Sequence, residues 1–528
     1  MKPTRKQRQL KAAAHAALLG ITVISLANCS SSDSGTPAAT TSNSSAALQG
    51  PLVFVNNTGD KTLTSVSLKG DSGNGIVGTI DAAKFGNVAL GDMQFSEGEW
   101  LFVNLGAGNA VALVDPLTGA TPIHETNLTT GTRPVHIYRD PTDGEVIWSM
   151  NDGDNAGGTA TPGDDLLNCA VQGGGSVTVI HNSHLGPGAN VPRILGTTCL
   201  LADGHKVTAF SSGAGISKRA FVSSATGGEV AVIDNDETSA TYLKMIARID
   251  LCKSAKEAVP CNDESATPLT TAFTTNSSAP HGIRWSQLTK KVYSIQEGYE
   301  EIAEIDPNSL NITNTFNLTG TPYTGYGISP DGRFLLLRGE TTSPQGMKLG
   351  VIDLGTAGAP RTDFTIPELD GTTTGSFATG SSSFKFSPDG KRFYLLIGNS
   401  PAAAVTKKDR LFAFDSSTLP ATPPALTLLK EIPLVATGGH SLDLLIQGAG
   451  AATYAVVSNS TDNSVSIINA TDNTIKQTVQ VGLTPGAVMI YYPGSAAAGN
   501  QATASVTSGV PAAPTLLPER LDDHGMKQ

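Results

Sequence analysis

Four of the nine histidines recur in one local setting, just ahead of a short apolar run: His136 in RPVHIYRD, His205 in DGHKVTAF, His281 in APHGIRWS and His440 in GGHSLDLL. Imidazole is the common nitrogen ligand of zinc and copper and titrates near neutrality, so this repetition predicts a site assembled from distant segments. His281 and His440 match in offset, each four residues before an apolar position, Trp285 and Leu444. His205 is displaced by one and His136 by more. Two readings follow: the imidazoles hold copper, zinc or a cofactor, or they are polar strand-start groups hydrogen-bonded to neighbouring segments and water. A second candidate is NDGDNAGGTATPGDD at 151–165, where Asp152, Asp154, Asn155, Asp164 and Asp165 are hard oxygen donors suited to calcium, or else a solvated acidic insertion. It lacks EF-hand spacing, and the chain has neither a G-x-S-x-G nucleophile elbow nor an H-E-x-x-H helix.

The elements that must position these groups are strands. A short apolar run closed by Asp or Asn recurs eight times, as in AVALVD ending at Asp115, EVAVID at Asp234, LFAFD at Asp415 and SVSIIN at Asn469. Each has a strand-like run before it, and several are led by a strand ending in SPDG (Ser329–Gly332 and Ser387–Gly390), where Pro fixes φ and Gly tolerates a positive one. A fourth run follows, as in Thr474–Gln480. Four strands per unit, repeated at intervals of about 40 to 60 residues, predict an all-β β-propeller over 51–492. PLVFVNN at Pro51 reads as a second strand without a first, and PGAVMIYYPG at Pro485 as a first strand without successors. The termini therefore pair to complete one blade. This gives eight four-stranded blades, or seven if 121–200 supplies a decorated loop. First strands line the channel of a propeller, which draws His136, His205, His281 and His440 together, with Asp92 and Tyr326 on the same side. The irregular stretches 151–174, 181–191, 250–278 and 399–409 are expected at the rims, where recognition surfaces sit.

Charge and export signals bound the setting. Lys2, Arg5, Lys6, Arg8 and Lys11 precede the apolar run Ala12–Ala27, too short to span a bilayer as a helix and fitting a secretion signal over 1–28. Its removal leaves 30 basic against 46 acidic residues, a formal charge of −16. Such a surface does not neutralise phosphates, so nucleic acid is excluded as a partner. Residues 29–50 and 493–528 are Ser/Ala/Thr/Gly-rich, read as a flexible tether and a low-complexity tail. With Cys29 set aside, four cysteines remain for an oxidising compartment, and sequence proximity pairs Cys169 with Cys199 and Cys252 with Cys261. Free thiols or metal ligands are the alternatives.

LANCSSSDS around Cys29 resembles a bacterial lipoprotein signal, which implies a lipidated (palmitate-bearing) Cys29, with Ser30 implying outer-membrane delivery and a body facing the periplasm or the cell surface. Asn28 departs from the small residue usual in that pattern. The VID-like strands, the SPDG turns and VGLTPGAV at Val481 resemble the YVTN/YncE-like and lactonase-like β-propeller superfamily over about 51–492. Counterparts of the absent literal YVTN are VFVNN at Val53, LFVNL at Leu101 and AVVSN at Ala455. The resemblance implies fold more than function. The expected role is a lipid-anchored binding or scaffold module for an envelope or cell-surface protein. The alternatives are a metal or redox-cofactor protein using the channel histidines, or a lactonase-like hydrolase.

Overall fold

Every residue of the strand Leu52–Asn57 is buried, and the two-residue period of a strand explains how it hides both faces. Leu52 and Phe54 pack with Leu101, Val103 and Met489, whereas Val53 and Val55 pack with Val456 and Val465. The split recurs along Phe334–Thr342. There Phe334 and Leu336 join Phe393, and Leu335 and Leu337 join Tyr293. Each sheet is thus a blade between two others, and the core lies in the layers between blades. Outermost strands follow a different pattern: Ile123–Thr129 alternates between exposed and half-buried positions, because one more neighbour is missing.

The structure is a computed structural model that describes residues 51–491 apart from the segments 69–74, 97–99, 117–120, 154–174, 183–191, 201–203, 259–260, 262–264, 268–274, 321–322, 343–344, 368–383, 388, 398–408, 422, 436–438 and 447–451. The expectations for the leader, Cys29, the tether and the C-terminal tail lie outside the described residues. Among those described, eight antiparallel sheets form, seven with their strands in chain order from the first outward and one with the last described strand ahead of the first three. The seven-bladed alternative fails because Pro134–Arg139, Val146–Asn151, Ser176–His181 and Arg193–Cys199 make a complete four-stranded sheet. The stretch 250–278, expected to be irregular, adds a fifth strand, Ser265–Thr267, to the next blade. First strands of successive blades pack beside one another, as Lys206–Ser211 does against Pro280–Ser286 and Gly439–Ile446 against Pro485–Tyr491.

Closure follows the expected route. Pro485–Tyr491 is the first strand of the composite blade and pairs antiparallel with Leu52–Asn57, placing Leu52 opposite Tyr491 and Asn57 opposite Pro485. Thr58 N and Gly59 N extend the seam to Thr484 O and Leu483 O, each at 3.0 Å. In three blades the second strand ends on an asparagine that ties down the third. Asn57 Nδ2 donates to Thr62 and Thr64, Asn151 Nδ2 to Ser176 and Thr178, and Asn459 Nδ2 to Ser464 and Ser466, all within 2.9–3.0 Å. The SPDG turns use their glycines as expected, with φ of 75° at Gly332 and 68° at Gly390.

The Cys252–Cys261 disulfide forms, with Cα atoms 6.3 Å apart. Cys199 is also disulfide-bonded, and its expected partner Cys169 lies outside the described residues.

Candidate channel site

A repeated irregularity sets where the inner histidines stand. In five blades the first strand carries one residue more than the second strand near its start: Pro134 to His136 against Asn151 to Met150, Pro280 to Ile283 against Gln296 to Ser294, Tyr323 to Gly325 against Gly339 to Arg338, Gly439 to Leu442 against Asn459 to Val457, and Pro485 to Val488 against Asn57 to Val55. A bulge re-aims the side chains beside it. His281 and His440 both follow directly on the last residue paired before the bulge, so their matched sequence offset is a matched backbone position. His136 sits one residue further along, and His205 precedes a strand, Lys206–Ser211, whose pairing is regular. Mismatched sequence offsets therefore do not prevent convergence.

His136, His205 and His281 come together. His136 Nε2 and His205 Nε2 are 2.9 Å apart, with ring centroids at 4.5 Å, and the rings of His205 and His281 stand at 4.9 Å. Each imidazole turns Nδ1 to its own carboxylate: His136 to Asp92 Oδ2 at 3.1 Å, His205 to Asp152 Oδ2 at 3.6 Å and His281 to Glu297 Oε1 at 2.9 Å. The cluster is closed at one end and open at the other, since the His136 side chain is 1% exposed and those of His205 and His281 are 26% and 24% exposed. Burial pulls the His205 pKa down to about 4, and the His136 and His281 imidazoles push the same way against the opposing pull of Asp152. His205 is accordingly neutral at pH 7, with a lone pair to give.

That geometry has a chemical consequence. The Nε2 atoms of His136 and His205 face each other at hydrogen-bonding distance, and either a proton donated by one ring to the other or a metal ion in its place satisfies both. Two imidazole nitrogens sharing a tetrahedral ion stand about 3.3 Å apart, so the pair would open by only about 0.4 Å to hold one. Among the described residues no three His, Cys, Asp or Glu side chains already surround one metal position. Among the described residues His281 is the next imidazole, its ring 4.9 Å from that of His205.

Other expected site residues divide. The His440 side chain lies outside the described residues. Tyr326, expected at the channel, is instead a core residue: it is 3% exposed, packs with Tyr293 and Leu337, donates its hydroxyl to Tyr293 O and lies beneath the Arg284 guanidinium at 5.5 Å. Its ring also fills the space beside Gly282. Asp152 faces His205, while Asp154, Asn155, Asp164 and Asp165 lie outside the described residues. Trp148, Trp285 and Tyr299, aromatic side chains that could have served as recognition anchors at a rim, are buried among the blades. Sequence reasoning missed Glu297 altogether and missed the pairing of Asp152 with His205. A signal existed: Asn151-Asp152 and Gln296-Glu297 are both an amide followed by an acid at the end of a second strand.

No protein-family model matches the chain, and no curated protein matches it in sequence. Solved structures do match. The apo form of AztD from Citrobacter koseri aligns with a TM-score of 0.51 at 11% identity, over 84% of this chain and 98% of that one. The periplasmic gluconolactonase PpgL of Pseudomonas aeruginosa aligns with a TM-score of 0.46 at 12% identity, over 84% of this chain and 99% of that one. At such identities the likeness is one of fold, and the chain is an eight-bladed β-propeller closed by its first and last described strands.

Proposed function

We propose that the protein binds a zinc or copper ion in the propeller channel through His136, His205 and His281, with His440 as the fourth inner-strand imidazole. The observation that carries this reading is one pairing made three times. Each imidazole places Nδ1 beside a separate carboxylate, at hydrogen-bonding distance for His136 and His281 and at 3.6 Å for His205, which is the outer-sphere arrangement of metal-ligating histidines. Imidazole donors suit zinc and copper better than calcium or magnesium. The neutral state of His205 supports the same reading, because a protonated ligand must lose its proton before it binds. Titration calorimetry of zinc and of copper into chelator-stripped protein tests it. One ion per chain is expected, lost in His136→Ala plus His205→Ala and weakened in His281→Ala plus His440→Ala. Unchanged stoichiometry and affinity in the first double variant overturns the assignment.

The proposed setting is extracytoplasmic, with lipid on Cys29 holding the propeller at the outer membrane, facing the periplasm or the cell surface, beside an envelope protein partner. Its support is the basic-then-apolar leader and the LANCSS sequence. Labelled palmitate incorporated into the wild type and absent from Cys29→Ala is the expected result, and equal labelling of both removes the anchor.

A further inference from the structure

The His281–Glu297 pair is gripped by a disulfide-closed loop that belongs to the preceding blade. The Cys252–Cys261 bond closes this loop just after the strand Met245–Asp250, and three of its side chains reach across. Glu257 accepts hydrogen bonds from Ser277 N and Ser277 Oγ, each at 2.6 Å, and from the Tyr299 hydroxyl at 2.5 Å. Lys256 Nζ donates to Tyr299 O at 2.9 Å and stands 5.9 Å from its ring. Lys253 N donates to the Tyr299 hydroxyl at 3.3 Å, while its Nζ pairs with Glu301 at 2.7 Å.

Both gripped residues lead directly to the site. Tyr299 ends the 3-10 turn Glu297–Tyr299, whose first residue carries the carboxylate on His281. Ser277 opens the segment that runs through Pro280 into His281. Turn and segment are also joined to each other, Glu297 N donating to Ala279 O at 3.2 Å and Gly298 N to Ser278 O at 3.0 Å. A Cβ at position 298 would stand 1.8 Å from Ser277 O, so this approach requires glycine. Glu257 therefore bonds to both halves of the unit that aims the His281 imidazole.

We propose that the Cys252–Cys261 loop, through Glu257 and Tyr299, positions the His281–Glu297 pair, and that opening the disulfide weakens metal binding in the channel. This rests on the metal-binding reading above. Opening is a two-electron reduction by a dithiol: the S–S bond breaks, each sulfur gains one electron and one proton to become a thiol, and the dithiol closes to its own disulfide. Positioning groups behind a metal ligand are worth about 10- to 100-fold in affinity, and that is the change expected.

Two measurements on the full chain decide it. Amide hydrogen exchange of the metal-free protein, before and after dithiothreitol and in Cys252→Ser plus Cys261→Ser, should show lost protection at Glu297 and Gly298 while the seam at Thr58 and Gly59 is unchanged. Zinc titration should then show a dissociation constant raised about 10- to 100-fold in the cysteine variant, and raised in Tyr299→Phe, which keeps the disulfide and the ring and serves if the cysteine variant does not fold. Melting of metal-free Tyr299→Phe within a degree or so of wild type separates positioning from general destabilisation. Unchanged exchange at Glu297 and Gly298 overturns the clamp whether or not zinc binds, and an unchanged zinc constant in both variants overturns its role in the site. Failure of the oxidised wild type to bind zinc overturns the metal reading instead, and the exchange result still decides the clamp.

Discussion

Glu229 begins the third strand of its blade with no exposed surface, opposite Ser224 and Asp250, and its substitution by Gln tests whether burial or countercharge governs a buried acid. Arg248, itself buried, places Nε 3.8 Å from Glu229 Oε2, beyond hydrogen-bonding reach. Among the described residues neither Glu229 oxygen accepts a hydrogen bond. Burial raises its pKa from the ordinary 4.5 to about 7, against the opposing pull of Arg248 and Lys206 and with a smaller push from Asp250. The folded protein thus keeps a proton that the unfolded chain has released between pH 4.5 and pH 7. Stability from this group is full below pH 4.5, falls as pH rises through the window and is level above it. A rise from 4.5 to about 7 corresponds to roughly 3 kcal/mol. For the roughly 440 residues of the propeller that is about 4 °C in melting temperature. Melting wild type and Glu229→Gln in parallel from pH 4.5 to 8 isolates the group, because other titrations cancel in the difference. The wild type should lose about 4 °C relative to the variant across the window. A difference that is flat, or that moves in favour of the wild type as pH rises, would show that Arg248 and Lys206 outweigh burial, and the reasoning fails.

Two further outcomes follow from the fold. Asn459→Ala removes both bonds to Ser464 and Ser466 and should cost about 1–3 kcal/mol, read as a fall in melting temperature, with a loss of similar size in Asn151→Ala if the tie is a repeated device. Truncation after Gly494 should leave melting unchanged, whereas truncation after Gly482 removes the inner strand of the closing blade, exposes the Leu52–Asn57 edge and should yield aggregates by size-exclusion chromatography. Equal behaviour of the two truncations contradicts closure.

The blades were legible in the sequence because their signals are local. AVALVD and EVAVID carry a two-residue period and β-branched side chains, and each ends at a polar residue where the chain turns. The composite blade was legible because PLVFVNN and PGAVMIYYPG are each incomplete alone. The site was legible in its imidazoles and in Asp92, the carboxylate that pairs with His136. A bulge shifts spatial position by one residue without changing the apolar pattern around it, so the offset between His136 and His281 could not be converted into a distance. Tyr326 was misplaced for a related reason, since its strand is bulged too and its side chain enters an interblade layer. Asp152 and Glu297 stand at second-strand ends, and their facing of first-strand imidazoles depends on how adjacent blades sit, which strand periodicity does not encode.

The seam between Leu52–Asn57 and Pro485–Tyr491 joins groups as far apart as Thr58 and Thr484, 426 residues along the chain. During synthesis the Leu52–Asn57 strand is therefore made before the seven other blades and its inner neighbour after them, an unpaired edge held open through their making. Leu52 and Tyr491 are register partners, so a circular permutant linking them by a short Gly/Ser segment and opening between two other blades would encode the same ring in a different order of birth. That permutant would complete the closing blade in one passage, and its folding yield relative to the natural order would measure what the long wait costs.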